Sequence, residues 1–232
     1  MHLIILAESS LELIPKSIAS EHDIVKYAKK RKKKPEEIIL DSNYHWKAIK
    51  KLPDAERRGR PDIVYRSLLT IFDSLLYKCG LVDVIVHTIN DDVLYFKKNT
   101  RLPRHYARFI GLMEQVLYYK KAPVSGEPLI YVKRQTLSEL VNHYILHNFY
   151  PIEMTSKGTL VSPSKFYELS SKYTNLIFII GGFSHGHISS DLSKFKISKL
   201  SIFKEPITTQ SVCNYVLHNT PLFAKDLEKM CF

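Results

Sequence analysis

The sequence predicts an α/β fold in which a mostly parallel β-sheet is flanked by helices. Short apolar segments typical of strands alternate along the chain with amphipathic segments typical of helices, as in folds with a parallel sheet. Residues 176–180 form an uninterrupted apolar run, as expected of a strand covered on both faces. Hydrophobic residues make up 45% of the 232 residues, enough for a sizeable core. We therefore expect a single domain over residues 1–232.

The first half of the chain begins with a predicted strand, because residues 2–7 are apolar and end at a polar turn. Ser10 is expected to cap a short helix that runs to Ile14. The most regular helix is predicted over residues 61–76, where Pro61 suits a first helical turn and apolar residues recur at helical spacing. Strands are also predicted at residues 38–40, 81–89 and 93–96, the last two as a hairpin, and a helix at residues 103–119.

The last third of the chain contains the clearest candidate for a ligand-binding turn. Open α/β sheets bind ligands where buried strands end, and the strand at residues 176–180 runs into a Gly-rich segment at 180–186. A plain tight turn is the alternative there, and an ordinary strand-to-helix connection is the alternative for the turn at residues 200–209. Neither segment matches GxGxxG or a P-loop. The other elements predicted here are strands at residues 129–132 and 199–203 and helices at residues 137–146, 163–173 and 208–219.

The net charge of +11 indicates a polyanionic partner, and nucleic acid is the commonest one. The sequence shows no secretory leader and no apolar run of transmembrane length, so we expect no membrane partner. The three cysteines are scattered without metal-ligand spacing, which predicts no metal site and favours a reducing, cytoplasmic location. Basic residues concentrate in two segments that we interpret as insertions, at about residues 25–60 and 83–108. The run of six basic residues at 29–34 is a candidate RNA contact or an ordinary solvated surface.

A stripe of arginines precedes or begins the helix predicted at residues 103–119. Arg101, Arg104 and Arg108 would lie at its N-terminal end, where guanidinium groups and free backbone donors both favour phosphate. The alternative is a solvated arginine face. We keep both interpretations open from the spacing alone.

Two aspartates and an arginine share one face of the helix predicted at residues 61–76. Asp62, Arg66 and Asp73 lie within about 40° of each other at 3.6 residues per turn. Asp73 interrupts an otherwise apolar stretch, and a carboxylate in such a place is either hydrogen-bonded structurally or takes part in chemistry.

Six segments taken together resemble a known family. They are KPEEIILDSNYH (34–45), RGRPDIV (58–64), FDS (72–74), NTRLPR (99–104), GFSHG (182–186) and SIFKEP (201–206). In this order they are similar to the ribosome-biogenesis methyltransferases of the SPOUT class, which modify ring nitrogen 1 of a pseudouridine in small-subunit ribosomal RNA. The sequence departs from the family pattern at Tyr65, Leu75 and His187.

The resemblance implies a fold, a cofactor and partners. The fold would be a SPOUT-type α/β domain with a C-terminal trefoil knot. The cofactor would be S-adenosylmethionine, held by backbone groups of the knot. The protein would be a homodimer that binds small-subunit ribosomal RNA across both subunits, with ribosomal proteins as further partners. The alternatives are a non-catalytic RNA-binding ribosome assembly factor and a related SPOUT enzyme acting on transfer RNA.

The same resemblance assigns site residues by matching motif. Arg60 and Asp62 would organise the active-site loop, and Asp73 matches the acidic residue proposed to act on the target base. The residues that match RNA contacts are Arg58, Arg60, Arg101, Arg104 and Arg108. The residues that match the turns around the cofactor are Ile180, Gly181, Gly182, Phe183, Gly186, Leu200, Ser201, Ile202, Phe203, Pro206 and Ile207.

Overall fold

The computed structural model describes residues 1–98 and 100–222, which contain an eight-stranded sheet. The strands are β1 (His2–Ser9), β2 (Val82–Thr88), β3 (Asp92–Phe96), β4 (Lys121–Ala122), β5 (Ile130–Arg134), β6 (Tyr150–Leu160), β7 (Leu176–Gly181) and β8 (Ser198–Ser201). Their order is β4-β5-β3-β2-β1-β7-β6-β8. Five adjacent strands, β2, β1, β7, β6 and β8, are parallel to one another. At the β2 edge the sheet continues with β3, β5 and β4, each antiparallel to its neighbour.

Helices cover both faces of this sheet. They are α1 (His22–Arg31), α2 (Ser42–Ile49), α3 (Pro61–Asp73), α4 (Leu75–Lys78), α5 (Tyr106–Tyr119), α6 (Leu137–Leu146), α7 (Pro163–Ser170) and α8 (Thr209–Asn219). In β1, Ile4 and Leu6 belong to the core shared with α3, α5, α7 and α8, whereas Leu3 and Ile5 face the core beneath α6. Because successive side chains of a strand point to opposite faces, both sets must be apolar. The predicted α/β class, a mostly parallel sheet flanked by helices, is confirmed.

A separate apolar cluster lies under α1 and α2. It includes Ile14, Ile24 and Ile49, and its residues fall mostly within the first segment interpreted as an insertion. We call residues 14–52 the basic lobe. Arg31 and Lys33 of this lobe both pair with the buried carboxylate of Glu114 in α5, at 3.0 and 2.6 Å. Since the second supposed insertion includes most of β2 and all of β3, it is part of the sheet.

Two short elements predicted near the N-terminus are wrong. Residues 10–14 are not helical, and residues 38–40 do not form a regular strand. Instead, Leu13 and Ile39 form one isolated antiparallel bridge. The Ser10 hydroxyl accepts a hydrogen bond from the backbone N–H of Arg60 (2.8 Å), so it ties two distant segments together and caps no helix.

Three further differences affect the site. The helix predicted to reach residue 76 ends at Asp73, because Ser74 adopts an extended conformation and caps α4. The helix predicted from residue 103 begins at Tyr106, so Arg101 and Arg104 precede it. Strand β6 was not predicted at all. Its second half is largely exposed and contains Ser156 and Gly158, which are unusual in the interior of a strand.

Asn99, the first residue of the NTRLPR segment, and Cys231 lie outside the described residues. Among the described residues, no helix combines the length and the apolar character that crossing a membrane requires.

Candidate functional site

A cleft opens at the edge of the sheet where β7 and β8 end, beside the middle of the long strand β6. Its walls come from the segment after β7 and the segment after β8, which the sequence singled out separately. Ten of the eleven residues predicted to bind a cofactor line this one cleft: Ile180, Gly181, Phe183, Gly186, Leu200, Ser201, Ile202, Phe203, Pro206 and Ile207. Parallel sheets bind ligands at this edge, so the cleft is the candidate ligand site.

The eleventh residue, Gly182, packs against β1 behind the cleft. A Cβ atom at this position would lie 2.1 Å from the Ser9 hydroxyl oxygen, so only glycine fits. Its N–H donates to the carbonyl of Ala7 (2.8 Å), and its carbonyl accepts from the N–H of Ser10 (2.9 Å). Gly182 therefore fixes the position of the turn, while its neighbours face the cleft.

The sequence analysis did not assign ten further residues of the cleft wall, and it missed the four at positions 153–156 because it missed β6. The additional lining residues are Glu153, Met154, Thr155, Ser156, Ser184, His187, Ile188, Glu205, Thr209 and Val212. Glu153 is a buried carboxylate that pairs with Lys199 at 2.9 Å. The Thr209 hydroxyl donates to the carbonyl of Gly181 (2.7 Å) and so holds α8 against the end of β7. An acidic residue, Glu153, within the otherwise uncharged segment 150–154 was the one available sign of a site here.

A buried ion pair holds the segment after β7 in place. Glu8, at the end of β1, accepts hydrogen bonds from the backbone N–H groups and hydroxyls of Ser189 and Ser190 and from the guanidinium of Arg57. The Arg57 guanidinium also stacks on the ring of Phe183, 4.1 Å from its centroid. Burial acts to raise the pKa of Glu8, but these hydrogen bonds outweigh it and the pKa is lowered. Glu8 is therefore a charged anchor for the cleft wall.

A smaller depression adjoins the cleft and contains the predicted Arg60 and Asp62. The cleft and this depression share Phe183, Ser184, Ile207 and Thr209. Arg60 grips Asp62 with two hydrogen bonds, from Nε (2.8 Å) and Nη2 (3.0 Å). Burial acts to raise the pKa of Asp62, but Arg60 outweighs it and the pKa is lowered. Asp62 therefore favours its ionised form, and it orients Arg60 beside the cleft.

Asp73 lies away from the cleft of its own chain. It is at the other end of α3 from Asp62, eleven residues further on, which is about 16 Å at the helical rise of 1.5 Å per residue. Its carboxylate is exposed and pairs with Arg104 at 3.0 Å. Asp73, Arg101 and Arg104 line a separate depression. The structure does not bring Asp73 together with Asp62.

The predicted RNA contacts fall into two groups. Arg101, Arg104 and Arg108 are all exposed near the start of α5. Tyr65, one of the departures from the family pattern, donates its hydroxyl hydrogen to the carbonyl of Arg104 and so fixes that backbone. Arg58 is different.

The side chain of Arg58 is only 10% exposed, and its guanidinium forms two hydrogen bonds with the buried carboxylate of Glu12. This pairing makes Arg58 a largely buried ion-pair partner, unlike the three exposed arginines, and its predicted contact with RNA stays a prediction.

Comparisons with known proteins agree on one family. A profile of the family described as "EMG1/NEP1 methyltransferase" matches residues 4–220. A protein of Thermococcus sibiricus named "Ribosomal RNA small subunit methyltransferase Nep1" is 44% identical over 225 residues, covering 94% of this chain and 96% of the relative. The protein of the same name from Pyrococcus furiosus is also 44% identical, covering 94% of each chain.

A solved structure is similar over the same extent. The crystal structure of Archaeoglobus fulgidus Nep1 bound to S-adenosylhomocysteine superposes with a TM-score of 0.82 at 32% identity. The match covers 94% of this chain and 96% of the other. The profile match, the two relatives and the shared architecture extend over nearly the whole chain, and the chain therefore belongs to the EMG1/NEP1 methyltransferase family.

Proposed function

We propose that this protein transfers a methyl group from S-adenosylmethionine to ring nitrogen 1 of a pseudouridine in small-subunit ribosomal RNA. The observation that carries the proposal is the single cleft at the carboxyl ends of β7 and β8, with Arg60 and Asp62 beside it. The exposed arginines and the net charge of +11 suit an RNA substrate. We further propose that it acts as a homodimer in the cytoplasm during ribosome biogenesis, in contact with ribosomal proteins.

The residues of the cleft fit S-adenosylmethionine. Its apolar walls, including Ile180, Leu200 and Ile202, suit an adenine ring and exclude water. Gly181 leaves room in the cleft wall for the Phe183 ring, since a Cβ atom there would lie 2.7 Å from that ring. The buried carboxylate of Glu153 offers an acceptor to a cationic or hydroxyl group of the ligand. When bound, the cofactor supplies an electrophilic methyl group on its sulfonium.

We propose that the C-terminal segments form the trefoil knot implied by the resemblance. The contacts that support this are those that tie residues 182–190 to earlier parts of the chain. The Ser184 hydroxyl donates to the carbonyl of Glu56 (2.6 Å), and Glu8 holds Ser189 and Ser190. A cofactor wall fixed at both ends in this way needs little reorganisation on binding.

The chain's own residues would then orient the base and receive its proton. Arg60, oriented by Asp62, would contact the flipped-out nucleotide beside the cleft. The bound cofactor would supply the methyl group to N1 as its carbon–sulfur bond is broken, and N1 would give up its proton to the protein. We assign this proton to the carboxylate of Asp73. Most of the acceleration should come from holding donor and acceptor in line, away from water.

The position of Asp73 makes this role dependent on a second copy of the chain. Since Asp73 lies at the far end of α3 from its own cleft, it would act on the base held at the cleft of the partner subunit. The proposed role of Asp73 therefore requires the proposed homodimer.

The test is a methylation assay with purified protein, S-adenosylmethionine and a small-subunit RNA hairpin that contains pseudouridine. We expect methylation of that hairpin, none of the same hairpin with uridine, and none of a transfer RNA. Calorimetry with S-adenosylhomocysteine is the companion measurement. Ile207→Trp, which fills the cleft from an exposed position, should abolish both signals while the Tm is kept.

The two alternatives give different results. Methylation of the transfer RNA in place of the hairpin would assign a related SPOUT activity. RNA binding by a folded protein that does not bind S-adenosylhomocysteine would assign a non-catalytic assembly factor. Either result would overturn the proposed function.

A further inference from the structure

Helix α2 of the basic lobe exposes a large aromatic side chain that the proposed methyl transfer does not use. Trp46 is the only tryptophan of the chain, and it is 49% exposed. The Nζ atom of Lys50 lies 4.5 Å from the centroid of its ring, and that of Lys47 lies 5.7 Å away. Trp46 is absent from the lining of the cleft and of the two depressions near Asp62 and Asp73.

The helix beneath the indole is firmly held. Ala48 and Ile49 are buried in the apolar cluster of the basic lobe, and His45 is fully buried on the same helix. The N–H of Ala48 donates to the carboxylate of Asp23 (3.3 Å), which joins α2 to α1. The helix therefore presents Trp46 from a rigid support, although the ring itself takes no part in that cluster.

The surroundings of the indole are strongly basic. In the part of the chain that the structure describes, neither Lys47 nor Lys50 pairs with a carboxylate, whereas the next lysine, Lys51, pairs with Glu21 at 2.7 Å. The basic run at residues 29–34 begins in the last turn of α1 and continues beyond it, and α1 packs against α2. Two of its six side chains turn inward to Glu114. The other four, Lys29, Lys30, Lys32 and Lys34, are exposed.

We propose that Trp46, with Lys47 and Lys50, is a stacking subsite for an unpaired base of the RNA substrate, outside the methyl-transfer cleft. This inference rests on the proposed function for the identity of the RNA. A flat aromatic ring between unpaired lysines matches single-stranded nucleic acid, whose bases stack on aromatic rings while its phosphates attract ammonium groups. A protein partner would not need both lysines free of carboxylates.

The lobe is coupled to the arginines expected to hold the RNA. The hydroxyl of Tyr106, at the start of α5, donates to the carboxylate of Asp41, which caps α2 (2.8 Å). Arg104 and Arg108 lie within two residues of Tyr106. This hydrogen bond joins the start of α5, which bears these arginines, to the helix that carries Trp46.

Stacking of a base on Trp46 requires only that flexible lysine side chains move. An exposed cation–π contact is weaker than the stacking of a nucleobase on an aromatic ring. An incoming base would displace an ammonium group from the ring, and the displaced group could then pair with the adjacent phosphate. Base stacking and the lysine–phosphate pair would both favour binding, because neither lysine must first break an ion pair with a carboxylate.

The intrinsic fluorescence of the protein reports this subsite directly, since Trp46 is the sole tryptophan. We expect a short single-stranded RNA from the substrate hairpin loop to quench the fluorescence as it binds. Heparin, which carries negative charge without bases, should bind the basic surface and leave the tryptophan emission largely unchanged. Equal quenching by heparin and RNA would mean that the ring responds to charge alone, which would overturn the subsite.

Substitutions measure what the ring contributes. Trp46→Ala should weaken RNA binding about tenfold, Trp46→Phe should recover most of that loss, and the matched control Tyr119→Ala, an exposed aromatic at the end of α5, should bind RNA as the unaltered protein does. Undiminished affinity in Trp46→Ala would contradict the inference. The proposed function is read separately: if RNA quenches Trp46 but no methylation occurs, the enzyme assignment fails and the stacking subsite stands.

Discussion

Arginines in two regions of this molecule serve opposite purposes. Arg57 and Arg58, next to the cleft, are buried and paired with the carboxylates of Glu8 and Glu12. Arg104, at the start of α5, has an 80% exposed side chain and pairs with the exposed Asp73. The first region holds the fold together, and the second remains available to a ligand.

This difference shows that residue type and local charge do not predict whether an arginine is buried in an ion pair or exposed to a ligand. RGRPDIV and NTRLPR look alike as basic segments, and each contributes predicted RNA contacts. What separates them is a pair of acidic residues at positions 8 and 12, about fifty residues away in sequence and adjacent in the fold. Four predictions sharpen this comparison.

The largest effect is expected from the exposed region, at Asp73. Asp73→Asn should lower kcat by a factor of roughly 10²–10⁴, the usual contribution of a positioned proton acceptor, while binding of S-adenosylhomocysteine is retained. Because the proposed site combines two subunits, mixing inactive Asp73→Asn with inactive Ile207→Trp should restore activity. Random exchange in a dimer gives about a quarter of the unaltered activity.

The measurement is the methylation rate of the mixed, refolded chains against each variant alone. If the mixture stays as inactive as its components although mixed dimers are present, the composite site is wrong. Full activity of Asp73→Asn by itself would remove the proton-acceptor role.

The next effect concerns stability in the buried region. Arg58→Ala leaves the carboxylate of Glu12, only 1% exposed, without its charged partner and with only the hydrogen bond from Asn90. Removing one partner of a buried pair costs about 3–5 kcal/mol in the free energy of unfolding. The same change at the exposed Arg108 should alter it by less than about 0.5 kcal/mol. Urea unfolding monitored by circular dichroism compares the two variants.

A double variant keeps this test decisive if Arg58→Ala does not fold. Replacing the pair together, as Glu12→Leu with Arg58→Met, removes the isolated charge and should restore most of the stability. Equal stability of Arg58→Ala and Arg108→Ala would show that the two arginine groups do not differ as described.

A smaller effect is expected on RNA affinity. Replacing Arg101, Arg104 and Arg108 by alanine removes three phosphate contacts. The plot of log affinity against log salt concentration, whose slope is negative, should therefore become shallower by about 2 to 3. The free energy of unfolding should hardly change, because all three side chains are exposed. A filter-binding titration at several salt concentrations measures the slope. An unchanged slope would place the RNA elsewhere on the surface.

The segments that form the cleft were easier to identify from the sequence than the burial of individual arginines. Residues 180–186 and 200–207 were identifiable because a buried apolar strand and glycines depend on local sequence, and the structure brings both segments to one cleft. The pairing of Arg58 with Glu12 depends on which distant segments meet, which periodicity does not encode. Strand β6, and with it Glu153, was missed for a related reason: its exposed half lacks the alternation that marks a strand.

The smallest expected effect is a pH dependence of stability that starts in the buried region. The imidazole of His87 is 1% exposed, accepts a hydrogen bond from the N–H of Glu8 at Nδ1 (3.2 Å), and faces Asp91 at Nε2 (3.2 Å). Burial lowers the pKa of His87, and it outweighs the opposing charges of Asp91 and Glu8. The folded protein therefore favours the neutral imidazole more than the unfolded chain does.

The sign of the effect follows from that shift. A base whose pKa is lowered by folding stabilises the protein fully above its unfolded pKa of about 6.5, and this stability is lost as the pH falls below that value. The Tm should therefore drop between about pH 7 and pH 5. His87→Gln should flatten part of the drop, and His143→Gln, at an exposed histidine, should leave it unchanged. Because the N–H of Glu8 donates to His87, protonation of His87 would first weaken the position of Glu8, which holds Arg57. If the full drop in Tm persists in His87→Gln, its source would instead be the buried His45, whose pKa is also lowered by burial.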